Sequence, residues 1–318
     1  MDSRCLSPVP PPRRRRSRRA AVYALILVAA WRWRRYTASK IGSAEPWGPR
    51  WLALLVAEAS SRLMGLIGAP MVRHHVAQPC ERDRQYLVCW HPHAAYTTMA
   101  LMHTATMTIR GDPLTWFTGV APVLFSLPGL REALLLLNAR SVDSSVVAHL
   151  AERGLNVGIQ PGGVPEQLQA DHTREIAVFP PKLGFIRLAL RHGMDLLPAY
   201  IFGENQAYHT SEASRRTAQS IFRSTGVPLV PISGRWGLPW PVPRRVEVSV
   251  CWGRPVSVGP PDAEPSEQRV AEVFARYCAE LRRLFDEHKD SCLPPEVAAR
   301  GLSIVHRTAA DEGPKSRL

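Results

Sequence analysis

Beyond Pro79 the chain alternates short apolar runs with stretches of helical spacing. Gln85–Trp90, Leu114–Phe117, Leu155–Gln160, Leu196–Phe202 and Val246–Cys251 are apolar runs of strand length. Elsewhere the apolar positions move to three- and four-residue steps. Val270, Val273, Phe274, Tyr277, Cys278, Leu281, Leu284 and Phe285 predict a helix over Ser266–Lys289 whose one face packs on a sheet. We read that stripe as core. A second helix is predicted over Lys182–His192, with Phe185, Ala189 and Leu188 or His192 on one side and Gly193 as its C-cap. The alternation predicts an α/β fold, layered around a mixed or mostly parallel sheet, with no internal repeat.

The first eighty residues follow a different pattern. Pro8–Arg19 is rich in proline and arginine and is expected to be disordered. Ala20–Trp31 is an unbroken apolar run of twelve residues, flanked by arginines and followed by Trp31-Arg32-Trp33-Arg34-Arg35-Tyr36. A spanning helix needs about 20 residues, so this run predicts an interfacial or re-entrant membrane segment with an aromatic and basic belt. A secretory signal and an organellar transit peptide are the alternatives. Trp51–Val72 has spanning length but carries Glu58 and Arg62 at i and i+4. Charges are costly in lipid, so it reads as half-embedded or as one arm of a shallow hairpin. An amphipathic helix of the soluble domain is the alternative. The expected organisation is a disordered basic tail over 1–19, membrane-associated segments over 20–78, a catalytic domain over 79–293 and a C-terminal tail over 294–318.

Composition and charge narrow the function class. The 318 residues, 45% hydrophobic, can bury a substantial core. The net charge is +13, but residues 1–50 hold eleven Arg and one Lys against Asp2 and Glu45. A basic excess beside an apolar run points to anionic lipid headgroups, and no nucleic-acid motif accompanies it. The six cysteines show no Cys-x-x-Cys pairing, which argues against a disulfide framework and a structural zinc site. Neither a phosphate loop, a dinucleotide fingerprint nor a Gly-x-Ser-x-Gly elbow is present, against kinase, dehydrogenase and serine hydrolase readings.

Candidate chemistry begins at His91-Pro92-His93-Ala94, directly after the first apolar strand. In open α/β sheets the carboxyl ends of strands face the ligand crevice, and imidazole suits general base work near neutrality. Gly162-Gly163-Val164-Pro165-Glu166 follows a second strand. A third block runs from Gly184-Phe185 through Ala189, Gly193, Pro198 and Phe202-Gly203-Glu204 to Tyr208, and a fourth joins Val246–Val250 to Gly253-Arg254-Pro255-Val256. His74-His75 and His103 raise a metal reading with the His-x-His pair, but Pro92 stiffens the loop and no carboxylate or Cys stands at ligand spacing, so no metal is expected.

Together these blocks, over roughly 79–289, resemble the type 2 diacylglycerol acyltransferase family, which also contains monoacylglycerol and wax-ester acyltransferases. The tetrad is similar to the family's His-Pro-His-Gly signature, with Ala94 in place of the glycine. The resemblance implies a glycerolipid acyltransferase-like layered α/β domain that moves an acyl chain from acyl-CoA, as co-substrate and without a resident cofactor, to a neutral lipid such as diacylglycerol. It implies a catalytic domain facing the cytosol at the endoplasmic reticulum membrane, in contact with membrane lipids; homo-oligomerisation is left open.

Such a transfer needs a base for the hydroxyl proton, donors for an oxyanion and positive charge for the nucleotide phosphates. The resemblance assigns the base to His93, with His91 as alternative. No aspartate follows closely, so His91, a backbone carbonyl or Glu166 is left to orient the imidazole. Glu166 is either that carboxylate, an acceptor-binding one, or an N-terminal helix residue favoured by the macrodipole. Gly162, Gly163, Lys182, Gly184, Phe185, Glu204 and Asn205 are the candidate substrate-binding residues. Lys182 stands where the family often has arginine; Glu204 reads alternatively as a turn carboxylate satisfied by backbone amides. Arg131-Glu132 also matches a family element, with an intrachain salt bridge as the alternative.

Overall fold

The computed structural model describes residues 13–308. Its helices are α1 (Arg13–Ala38), α2 (Arg50–Leu66), α3 (Thr98–Arg110), α4 (Leu130–Leu136), α5 (Ser144–Glu152), α6 (Gly163–Gln167), α7 (Gly184–His192), α8 (Glu212–Thr225), α9 (Glu267–Cys292) and α10 (Pro295–Ala298). The strands are β1 (Met71–Val76), β2 (Tyr86–His91), β3 (Phe117–Val120), β4 (Ala139–Ser141), β5 (Val157–Ile159), β6 (Glu175–Phe179), β7 (Asp195–Phe202), β8 (Val248–Trp252) and β9 (Leu302–His306). A seven-stranded sheet runs β1-β8-β7-β2-β5-β3-β4, parallel at every pairing except β7 with β8. β6 and β9 form a separate parallel pair. The expected mixed, parallel-rich α/β sheet is therefore present.

Strand parity sets what each face carries. On β2, Leu87 and Cys89 join the core formed with α5, α7 and α9, while Tyr86, Val88 and Trp90 join the core formed with α3. Both faces are buried, which explains the unbroken apolar run in the sequence. His91 keeps the parity of Leu87 and Cys89, so it faces α9. The α9 stripe Val270, Val273, Tyr277, Leu281, Leu284 and Phe285 is buried as the spacing predicts. Ser266 starts α9 by accepting a hydrogen bond from Arg269 N at 3.2 Å. Gly193 ends α7 in the left-handed region, φ 66°.

Several expectations are corrected. The Leu114–Phe117 strand begins later, at Phe117, because Leu114 and Trp116 pack into the α3-side core. β1, β4, β6 and β9 were not anticipated: three of them are short or half exposed and lack alternation, and β6 opens on a glutamate. Trp51–Val72 is not one continuous segment but divides between α2 and β1. Ala53 and Ala57 of α2 pack on Ala105 and Ile109 of α3, and Met71 and Val72 already belong to β1 at the sheet edge. The Glu58–Arg62 pair forms at 3.3 Å on the exposed side of α2. Among the described residues no helix is long and apolar enough to cross a membrane. Of the 1–19 tail, residues 1–12 lie outside the described residues and the rest falls in α1. The 294–318 segment, read as a tail, contributes α10 and β9 in its described part, because β9 supplies the backbone partners that β6 requires.

Candidate active site

The site assembles where three adjacent parallel strands end. β7, β2 and β5 are neighbours in the sheet, and their C-terminal ends deliver Gly203-Glu204, His91-Pro92-His93 and the Gly162-Gly163 turn to one rim. The His91–Pro92 peptide is cis.

Glu166 is the hub of this rim. It is 1% exposed, its Oε1 accepts a hydrogen bond from the His93 backbone N–H, and its Oε2 accepts from Val178 N at 2.7 Å. Oε1 also stands 3.9 Å from His91 Nδ1. The approach requires the preceding glycine. A Cβ at residue 162 would lie 2.0 Å from Glu166 Oε2, so any side chain there would expel the carboxylate. Gly163, at φ +50°, then turns the chain into α6.

His91 is fully buried, and its Nε2 lies 2.8 Å from the Tyr277 hydroxyl. Burial pushes the Tyr277 phenol well above its ordinary range, so it remains an O–H. His91 Nδ1, on the other side of the ring, faces Glu166 and has no hydrogen-bond partner among the described residues. His93 is half-buried, and its Nδ1 is 3.2 Å from the Ala94 carbonyl. With Nδ1 protonated toward that carbonyl, Nε2 presents a lone pair, and no side chain or backbone group among the described residues bonds it. Burial lowers the His93 pKa below the ordinary imidazole value, and the attraction of Glu166 only partly offsets it. The imidazole is therefore neutral at neutral pH, the form a general base requires.

A family model described as "Diacylglycerol acyltransferase" matches residues 70–298, which include every residue of this rim. The chain belongs to the diacylglycerol acyltransferase family. It is 31% identical to human 2-acylglycerol O-acyltransferase 3 over 234 residues, 67% of either chain. Bovine diacylglycerol O-acyltransferase 2 is 30% identical over 68% of this chain and 64% of its own length. Human acyl-CoA wax alcohol acyltransferase 1 is 30% identical over 65% of this chain and 67% of its own.

Within this family member, Ala94 is 1% exposed and does not occupy the left-handed region, so alanine there carries no backbone strain. Phe185 is buried, stacked on Phe179 at 5.8 Å and edge-on to Tyr277 at 5.6 Å, and it backs the two rings that contact His91. Glu204 is 1% exposed and accepts from Met99 N at 3.1 Å and Ala100 N at 2.6 Å, capping α3. The turn-carboxylate alternative thus describes its contacts, with the amides supplied by a helix distant in sequence. Asn205 donates from Nδ2 to Glu175 Oε2 at 2.7 Å. Lys182 is exposed on the turn before α7, and among the described residues no hydrogen bond or ion pair ties its side chain to either histidine. Gly184 is exposed with open space where a Cβ would be, and nothing in the structure explains glycine there.

Arg131 and Glu132 form no ion pair with each other. Buried Arg131 donates to the carbonyls of Phe125 and Arg34 and to Thr37 Oγ1, tying the end of α1 to the domain, while Glu132 accepts from Gly129 N at 2.7 Å. His103 bridges Ser61 Oγ and the Ala69 carbonyl, both at 2.8 Å, which pins α2 to α3 and removes it from any set with the His-x-His pair.

Two residues of the site escaped the sequence reading. Tyr277 was counted as core; its hydroxyl, within an otherwise apolar stripe, was the available signal. Glu175 opens the apolar run Ile176–Phe179 and is buried on β6, accepting from Tyr200 Oη at 2.7 Å, Asn205 Nδ2 at 2.7 Å and Gln206 Nε2 at 2.8 Å. Burial outweighs these three donors and raises its pKa to about 7.

Proposed function

We propose that this chain transfers a fatty acyl group from an acyl-CoA thioester to the free hydroxyl of diacylglycerol, yielding triacylglycerol and coenzyme A, at the cytosolic face of the endoplasmic reticulum membrane. The observation that carries the reading is the His93 imidazole: neutral, half-buried at a strand end, Nδ1 toward the Ala94 carbonyl, Nε2 unoccupied by protein. Nε2 takes the proton of the acceptor hydroxyl as its oxygen attacks the thioester carbonyl. A tetrahedral oxyanion forms and collapses, the carbon–sulfur bond breaks, and the imidazolium returns its proton to the departing thiolate. Glu166 fixes the backbone of His93 and faces His91 Nδ1, so it acts as a positioning carboxylate. The residues named need no resident redox or group-carrying cofactor for this step.

Membrane attachment is supported by α1, whose Leu25, Leu27, Trp31 and Trp33 are 50–69% exposed, and by Trp51, Leu55 and Leu66 on the outer side of α2. A second acceptor, monoacylglycerol, is favoured by the 31% identity to a 2-acylglycerol acyltransferase. Thin-layer analysis of a neutral-lipid-deficient host expressing the chain distinguishes these readings. Triacylglycerol should accumulate, and His93→Ala should lower the rate about a hundredfold or more without loss of fold. Diacylglycerol formed from supplied monoacylglycerol would mark the second acceptor, and wax ester an alcohol acceptor. Product from neither protein, in folded preparations that bind acyl-CoA, would leave a non-catalytic lipid-binding role.

A further inference from the structure

The buried stripe of α9 does not end on an apolar residue. Its last member is His288, 7% exposed, and His288 Nε2 is buried without a hydrogen-bond partner among the described residues. Such an atom is costly to bury unless something binds it. Opposite stands β1, the edge strand of the large sheet. Its register places Arg73 beside Ser249 and His75 beside Cys251, and Cys251 belongs to the core facing α9. His75 therefore points at α9, and its ring lies 4.6 Å from that of His288, centroid to centroid. Glu287 completes the group: one ligand atom from each of His75, Glu287 and His288 falls within 4.8 Å of the others.

We propose that His75, Glu287 and His288 form a site for one divalent ion of the zinc class, clamping the sheet edge to α9. Two imidazoles and a carboxylate are a zinc-type donor set, with the fourth position left to water. In a tetrahedral shell the ligand atoms stand about 3.3–3.5 Å apart, so closing the group needs side-chain movement of about 1 Å. Two cations compete nearby. Arg283 occupies Glu287 Oε2, which leaves Oε1 for the ion, and Arg73 donates to Ser291 Oγ at 2.7 Å and Cys292 Sγ at 3.4 Å. Sequence spacing hides this site because His75 and His288 are 213 positions apart.

The test uses the tag-free full chain in detergent, titrated with Zn2+ against a chelator and separately with Co2+. One equivalent of Zn2+ should bind and raise the melting temperature, and Co2+ should develop tetrahedral visible absorption. His75→Gln, at a half-buried position, should weaken Zn2+ binding roughly tenfold or more and abolish both signals, as should His288→Gln; Glu287→Gln should weaken binding less. A wild-type protein that binds Zn2+ no better than folded His75→Gln would overturn the site. So would a Co2+ spectrum that survives in His75→Gln and His288→Gln, since the ion would then sit elsewhere.

Discussion

Glu166 and Gly162 form a single device. The carboxylate satisfies the amides of His93 and Val178 only because residue 162 has no Cβ. Gly162→Ala should drive the Glu166 side chain outward and strand both donors, at about 1–3 kcal/mol for each buried group left unpaired. The expected outcome is a lower melting temperature together with a loss of transfer activity that adding more substrate does not restore. Unchanged melting and turnover would show that the carboxylate does not organise the histidines. The glycine pair was legible as a turn; the reason for glycine was not, because the atom it makes room for arrives from four residues onward through a side-chain rotamer.

Two buried carboxylates connect elements that are far apart in the chain. Glu204, at the end of β7, caps α3, and burial raises its pKa to about 8 despite two backbone amides. Glu175 on β6 holds Tyr200 of β7 and the following turn, and titrates near 7. Both folded-state values lie above the unfolded carboxylate value of about 4.3, so the folded state retains protons that the unfolded state has released. That contribution to stability is complete below about pH 4 and is lost as pH rises through 7 and 8. Histidines held below their ordinary value by burial, His93 among them, contribute the opposite slope, so the readout is a difference: between about pH 5 and 8 the melting temperature of the wild type should fall relative to that of Glu175→Gln. A difference between the two proteins that stays constant across that interval would contradict the raised Glu175 value.

For the whole molecule, the decisive feature is how the N-terminal segments relate to the domain. α2 is packed on α3, and the end of α1 is bound by Arg131, while Arg140 holds the carbonyls of Ser43 and Glu45. The apolar surface of α1 before Thr37 is exposed along its length from Val22. Removing residues 1–30 should therefore preserve the fold, as judged by an unchanged melting profile, and shift part of the protein from the membrane to the soluble fraction, the rest being held by the exposed apolar residues that remain on α1 and α2. High salt alone should not release the full chain, because burial of apolar groups in lipid is not screened. Complete release of the full chain by salt would reduce the attachment to electrostatics.

By itself the sequence determined the α/β class, the position of four strands, the long α9 stripe and the two histidines after β2. These are local properties, readable from side-chain periodicity and from residues adjacent in the chain. Only the tertiary structure decided that α2 packs on α3 through Ala53 and Ala57, since the partner helix is distant in sequence. Only packing could place Tyr277 on His91, Glu175 beneath the turn after β7, and His75 against His288. Each of those contacts joins segments separated by 25 to 213 positions, and the strand order and helix packing that bring them together are not encoded by spacing along the chain.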